Sequence, residues 1–363
     1  MKTSNFEIIA GTYEEFLLGY NFNVKQSEIV QSFAAHDHSS SIRSLCISGH
    51  YLATGAADDR IIIYDLKSRK EHCMLTHHDA TVTCLQFTNN HSHILSGSSD
   101  GVLAIVRVGN WQVEKVWDKA HKGSAILDIA VHSSGKLALT LGSDCTLRTW
   151  NLVKGRQAYA INLNSKCKDA KSLDKIVWAK DDIRFVLSGG KYTEIWSIEM
   201  GGVLKVVKHE ERVSSCIWFS DEEILVGYED GQIALVQIND LTKSIQKAHD
   251  GRVKVLALYN NWVVSGSSTG EIKVWNKELK ELTKQNSGCR ITCLGIATLA
   301  KIKEEKIVET APEETVSSTV IKKSSVVIEV EENNDESIMY HGMTTKEKRK
   351  KHGKIKKNKK NKI

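Results

Sequence analysis

Seven stretches of the 363-residue chain repeat one order of residues, and this self-similarity restricts the fold more than any single motif does. Each is a short β-rich run ending in an aromatic or apolar residue and then, usually, a polar one. Most open on a turn rich in Gly and Asp. The runs are Tyr13–Asn21, Asp58–Asp65, Asp100–Arg107, Asp144–Asn151, Glu194–Ser197, Asp230–Gln237 and Thr269–Asn276. The aromatic slot holds Tyr20, Tyr64, Val106, Trp150, Trp196, Val236 and Trp275, at intervals of 44, 42, 44, 46, 40 and 39 residues. An earlier half repeats as well: a His followed about four residues later by another β-rich run. The pairs are His38 and Ile42, His78 and Val82, His121 and Ile126, His209 and Val213, and His249 and Val253. The unit near Lys175-Ile-Val-Trp178 lacks the His.

A period of roughly 40–45 residues in the order His, strand, turn, strand, Gly, Asp turn, strand, variable strand is the WD-repeat pattern, with four strands per propeller blade. The sequence therefore predicts an all-β fold, a seven-bladed WD40 β-propeller over residues 1–300. Phe6–Phe22 reads as two strands around a turn with no partner before it, and such a ribbon is marginal alone. Cys289–Ile296 resembles the first strand of a unit, and nothing after it supplies a second and third. The two ends of the propeller are thus expected to share one blade, with Ile29–Phe33 as its fourth strand, closing the ring.

The chain has one proline, Pro312, so turns before it rely on Gly, Asp, Asn and Ser. Glu7, Glu14 and Glu15 break every apolar run near the N-terminus, so no signal peptide is expected. No stretch reaches the roughly 18 apolar residues of a membrane helix, so a soluble, intracellular protein is expected, without a membrane partner. Among eight cysteines, at positions 46, 73, 84, 145, 167, 216, 289 and 293, there is no Cys-x-x-Cys pair. Cys289 and Cys293 would lie about 13 Å apart in a strand, too far for a disulfide or a shared metal. The thiols are expected to be small buried side chains.

His121, Thr140, Asp144 and Trp150, and again His249, Ser265, Thr269 and Trp275, superficially resemble a hydrolase triad. Yet the set recurs from unit to unit and loses members freely, with Val106 and Val236 in the aromatic slot and Thr269 in the acid slot. A reaction centre tolerates neither. The expected role is a buried hydrogen-bond network tying the His loop to the Asp turn and the Trp strand, with Asp58, Asp100 and Asp230 as the acids of other units. No Gly-x-Ser-x-Gly, P-loop or His-Glu-x-x-His motif occurs. No catalytic, cofactor or metal residue is assigned, and the protein is expected not to be an enzyme. Lys119, Lys122, Arg148, Lys154 and Arg156 make one unit locally basic, which reads as a solvated surface.

Past residue 300 the composition shifts. Residues 301–343 read as an acidic, mostly disordered linker, with five Lys against ten acids between Lys301 and Glu336. Within it, Ser325–Val330 has strand-like composition and could pair with a partner's sheet edge, against the plainer reading of a disordered stretch with a few valines. Residues 344–363 form a basic tail whose Lys346, Lys348, Arg349, Lys350, Lys351, Lys354, Lys356, Lys357, Lys359, Lys360 and Lys362 face one Glu. A run this dense suits a nuclear or nucleolar address or phosphate-backbone contacts. It holds no aromatic for base stacking, so RNA binding through it is expected to be salt-sensitive and weakly sequence-specific.

Gly135–Arg156 (GKLALTLGSDCTLRTWNLVKGR), the opening Ile9–Glu15 (IAGTYEE), the closing Arg290–Gly295 (RITCLG) and the lysine-rich end resemble the PAK-interacting WD-repeat proteins, also known as Mak-type ribosome-assembly factors. The resemblance spans the propeller nearly end to end and the tail in composition only. It implies a nucleolar factor in assembly of the large (60S) ribosomal subunit and in rRNA maturation. The implied partners are pre-60S assembly factors, ribosomal proteins and pre-rRNA, met as a monomer within a larger complex. For animal members it also implies inhibition of p21-activated kinases through the kinase's regulatory region. It implies no catalytic residues.

Overall fold

The structure is a computed structural model describing residues 5–298, and all of its regular elements are β-strands apart from two single-turn 3₁₀ segments. Hydrogen bonding groups the described strands into six antiparallel sheets. Sheet I is built from both ends of the described chain, in the order Ile291–Thr298, Phe6–Thr12, Leu17–Asn23, Glu28–Ala35. Sheet II holds Ile42–Ser48, Tyr51–Ala56, Ile61–Asp65 and Lys70–Leu75. Sheet III holds Val82–Phe87, His93–Ser98, Leu103–Arg107 and Val113–Trp117, and sheet IV holds Ile126–Val131, Leu137–Gly142, Thr146–Asn151 and Arg156–Asn162. Sheet V is longer: Leu173–Trp178, Arg184–Ser197, Gly202–Ser220, Glu223–Tyr228, Gln232–Gln237 and Lys243–Lys247. Sheet VI holds Val253–Tyr259, Trp262–Ser267, Glu271–Trp275 and Glu281–Asn286.

The expected count was seven sheets, and six are found among the described residues. Sheet V accounts for the difference. Arg184–Ser197 pairs with Leu173–Trp178 through its first part, kinks at Gly189-Gly190, and pairs with Gly202–Lys208 through Tyr192–Ser197. Gly202–Ser220 then runs on through residues 209–212 without looping and pairs with Glu223–Tyr228 through Val213–Ser220. Between the other sheets the chain breaks into an irregular connection. Here a continuous strand fuses what would otherwise be two sheets.

Burial follows position within a sheet. Second and third strands are covered on both faces, which is why Ile61, Ile62 and Ile63 form an unbroken apolar run. Fourth strands lie outermost, and Arg156–Asn162 is exposed at all but one residue. The seven residues of the aromatic slot are all buried. The core is a series of clusters between neighbouring sheets; one joins Phe6, Ile8, Tyr20 and Phe22 of sheet I to Val264, Ile272 and Val274 of sheet VI. Glycine permits the close approach this needs. A Cβ on Gly11 would lie 2.7 Å from both Cys293 Sγ and the Ile42 side chain of sheet II. The thiols are all free, but only Cys84, Cys145 and Cys216 are buried; the other five are half-buried.

Sheet I realises the expected closure. Phe6 faces Thr298, Ile8 faces Ile296 and Ala10 faces Leu294 in antiparallel register. At the end of this pairing the Tyr13 N–H donates to the Arg290 carbonyl (2.8 Å), and the Arg290 N–H donates to the Glu14 carboxylate (2.8 Å). The fourth strand, Glu28–Ala35, is longer than expected at both ends. Deleting residues 1–22 removes two of the four strands of sheet I and bares the edge of Ile291–Thr298. We expect that protein to aggregate or to melt without a cooperative transition in calorimetry; a soluble, cooperatively melting product would contradict the closure.

Candidate functional site

Two sets of polar residues are candidates: the His networks between strands and the cavity on the ring axis. In sheet IV the connection before Ile126–Val131 delivers His121 into the interior. Its Nε2 lies 2.8 Å from Thr140 Oγ1 and its Nδ1 3.0 Å from Asp144 Oδ1, and the Trp150 indole N–H donates to Thr140 Oγ1 (2.8 Å). Burial holds His121 below its ordinary pKa and so favours the neutral imidazole. With Nδ1–H donating to the carboxylate, Nε2 accepts from the Thr140 hydroxyl, which itself accepts from the indole. Arg148 adds a guanidinium bond to Asp144 (3.2 Å).

Sheet VI repeats the relay with Trp275, Ser265 and His249, at 2.8 and 2.7 Å. Its acid is Glu271, 2.7 Å from His249 Nδ1, and Thr269 instead caps its own turn against Ser267. No slot of the repeat marks Glu271, which opens the third strand two residues past the empty acid slot. In sheet II, His38 bridges Thr54 (2.8 Å) and Asp58 (3.1 Å). Asp100 and Asp230 do not reach a His. Each carboxylate accepts the backbone N–H two residues on, from Val102 and Gln232. His78 bonds Ser96 through Nε2 (2.7 Å), while its buried Nδ1 has no hydrogen-bond partner. His209 spans Thr193 (3.0 Å) and the Tyr228 hydroxyl (2.8 Å). Where the His is missing, fully buried Glu194 accepts from the Trp196 indole (3.3 Å) and the Lys168 N–H (2.8 Å). Neither Tyr228 nor Glu194 was singled out from sequence, since each stands outside the recurring His, Asp and Trp slots. Gly231 shows how tightly the His connection packs: at φ +87° its Cβ would meet the His249 carbonyl at 2.1 Å.

On the axis, a cavity of about 260 Å³ is lined from Ile42–Ser48, Val82–Phe87, Ile126–Val131, Leu173–Trp178, Gly202–Ser220, Val253–Tyr259 and Ile291–Thr298. Each of these seven stretches has a β-bulge that skips one residue: Arg43, Thr83, Leu127, Asp174, Ser214, Lys254 and Thr292. The bulge hydroxyl of Ser214 donates to the Val253 carbonyl of the neighbouring sheet (2.7 Å), and that of Thr292 to Gly11 (2.9 Å). The Asp128 carboxylate accepts N–H groups from Ile129 and, across the sheet boundary, Ile176 (3.0 Å). Asp128 also holds the Lys175 ammonium above its usual pKa, whereas burial and the charges of Lys175 and Arg252 pull Lys254 below. The cavity thiols are not nucleophiles at neutral pH, because burial pushes Cys84 and Cys216 up to about 12 and Cys293 to about 11. Among the described residues no three His, Cys, Asp or Glu side chains gather to hold a metal ion.

These networks hold charge and protons in place and leave no activated group facing solvent. Truncating Trp150 or Trp275 to Ala should cost about 3–5 kcal/mol in chemical denaturation, and Trp150→Phe, which loses the indole donor and leaves a smaller cavity, about 1–3 kcal/mol. Burial also depresses His78 and His209 to about 4. A neutral native imidazole gives way to an unfolded one that binds a proton below about 6.5, so stability is complete above that pH and falls toward pH 4. Melting temperature should drop across that window, and His209→Gln should flatten the slope; an unchanged slope would count against it.

Residues 27–65, 69–105, 112–151 and 241–276 match the WD domain, G-beta repeat, family model. A Xenopus laevis p21-activated protein kinase-interacting protein 1-like is 33% identical over 304 residues, covering 80% of this chain and 81% of its own. The Homo sapiens p21-activated protein kinase-interacting protein 1 is 31% identical over 333 residues, covering 86% and 82%. Saccharomyces cerevisiae Protein MAK11 is 25% identical over 346 residues, covering 80% and 83%. An all-β propeller, closed by strands from both ends and matched in this way along most of its length, belongs to the WD-repeat family of p21-activated protein kinase-interacting protein 1.

Proposed function

We propose that the chain is a non-enzymatic scaffold in assembly of the large ribosomal subunit, resident in the nucleus and nucleolus. Its propeller docks assembly factors and ribosomal proteins, and its basic tail grips the pre-rRNA backbone. On this reading residues 1–300 form seven repeat units, sheet V being two units joined by a continuous strand. The seven bulged stretches around the axial cavity and the seven buried aromatic-slot residues support that count. The His, Ser/Thr and Trp residues serve as struts within and between units.

The observation that carries the reading is the charge contrast along the chain. From Lys346 to Lys362 eleven Lys or Arg stand against one Glu, whereas the body is close to neutral. Lysines packed this densely release counterions from a polyanion, and a folded platform gains nothing from them otherwise. These residues, like 301–343, lie outside the described residues. Deleting residues 344–363 should weaken nucleolar retention and co-sedimentation with large-subunit precursors in a salt-dependent way. If the shortened protein stays nucleolar and sediments unchanged, the tail has no such role.

A second reading is a negative regulator that binds the regulatory domain of a p21-activated kinase, favoured by the names of the vertebrate relatives. It requires the propeller and not the tail. Capture of the kinase regulatory domain, at low and at high salt, should then be equal for the full chain and for the chain lacking residues 344–363. No capture in either condition would remove it.

A further inference from the structure

Sheets III and IV part at their outer ends to leave a groove of about 530 Å³ that continues into a second of about 380 Å³, the two sharing Lys115, Trp117 and Gly155. The first strand of sheet IV, Ile126–Val131, runs away from its His connection, so the turns at Ser134–Lys136 and Leu152–Gly155 place the larger groove toward the face opposite the His loops, while the smaller one reaches Lys119 and Ala120 of the connection that carries His121. Its rim carries Lys115, Lys119, Lys136, Lys154 and Arg156, all exposed. None of these five side chains makes a hydrogen bond or an ion pair among the described residues. The one carboxylate lining the groove, Glu114, is already engaged by Arg107 and by His93 (2.8 Å).

The floor is apolar. Ile105 is buried, Leu152 and Trp117 are half-buried, and Val153 is 73% exposed at the turn beside them. Trp117 is held in place, its ring 5.1 Å from that of Trp150 and its N–H donating to the Gly155 carbonyl (3.3 Å). A cationic rim over a fixed apolar floor asks for a ligand that is acidic outside and bulky-apolar within. Single-stranded RNA fits it less well. Beyond Trp117 the floor is aliphatic, with Leu152 and Val153 offering no ring for a base to stack on, and a ribose-phosphate chain has no use for it.

We propose that this groove is a docking site for an acidic, extended segment of a partner protein that seats a bulky apolar residue against Trp117, Leu152 and Val153. The site rests on the scaffold reading and names the chemistry of one partner. Lys115, Lys136 and Lys154 supply steering and register, and the apolar seat supplies residence.

The test uses the full chain, in fluorescence anisotropy, with a short labelled peptide alternating acidic residues and leucine. A control peptide replaces leucine with serine, and a uridine homopolymer is run beside both. The groove variant is K115E/K136E/K154E, whose exposed sites leave folding intact, as its melting temperature verifies. A second variant is Val153→Ser. Both keep the basic tail, so the tail's own binding cancels in the comparison. The leucine peptide should lose roughly tenfold or more in affinity on charge reversal and several-fold with Val153→Ser, and the serine peptide should bind weakly throughout. Equal peptide binding by wild type and groove variant, or no peptide binding, overturns the proposal. So does loss of homopolymer binding alone, which would make the groove an RNA site. Precursor co-sedimentation reports on the scaffold reading separately, and its failure would leave the peptide result standing.

Discussion

The pairing of Ile291–Thr298 with Phe6–Thr12 is the constraint on which the rest of the structure depends. A row of sheets packed face to face has two uncovered ends, each an apolar face of a blade. Sheet I removes both by drawing its inner strand from one end of the described chain and its other three strands from the opposite end. The result is that Phe6 and Phe22 can bury against sheet VI while Ile9 and Leu17 bury against sheet II. Glu7 extends the clamp: fully buried in Phe6–Thr12, it meets Arg69 of the sheet II outer turn at 2.7 Å. Contacts of such long sequence separation cost loop-closure entropy only once, and every inter-sheet cluster then benefits from a fixed circumference.

Given a closed ring, the polar interior becomes intelligible as bracing. A Trp indole, a Ser or Thr hydroxyl, a His and a carboxylate form a chain in which each donor has one acceptor, as in sheets IV and VI. The chain joins a connection, a second strand and a third strand that apolar packing alone would leave free to slide. Where the acid does not reach, as with Asp100 beside His78, a buried ring nitrogen goes unpaired. Where the His is lost, Glu194 ties the strand from the other side. Such variation is affordable in a brace spread over many units and is not in a single reacting centre. The axial cavity has the same character: backbone N–H groups hold the Asp128 carboxylate, its charge favours the Lys175 ammonium, and burial keeps the thiols protonated.

Much of this was legible in the sequence because the repeat carries several independent marks. Gly, Asp turn and aromatic slot recur together, so the strand order, the relay residues of sheet IV and the shared closing sheet could be placed before any coordinates. Three things could not. Residues 209–212 contain no turn-forming residue to exclude a continuous strand, but their extended backbone fuses sheet V, and composition does not distinguish the two. Glu271 and Tyr228 act on His side chains from positions outside the recurring slots, which only cross-strand proximity reveals. The bulges at Arg43, Lys254 and their counterparts follow from register, to which residue type is nearly blind. The basic cluster read as a solvated surface proved to be divided: Arg148 is buried against Asp144, whereas Lys119, Lys154 and Arg156 border a groove.

Amide hydrogen exchange on the intact chain, followed by mass spectrometry, tests the closure most directly. Peptides covering 6–12 and 291–298 should exchange together, as slowly as the central strands Tyr51–Ala56 and Glu223–Tyr228. Fast exchange in either terminal strand, with the central strands still protected, would mean that the ring is open and that the platform described here does not exist.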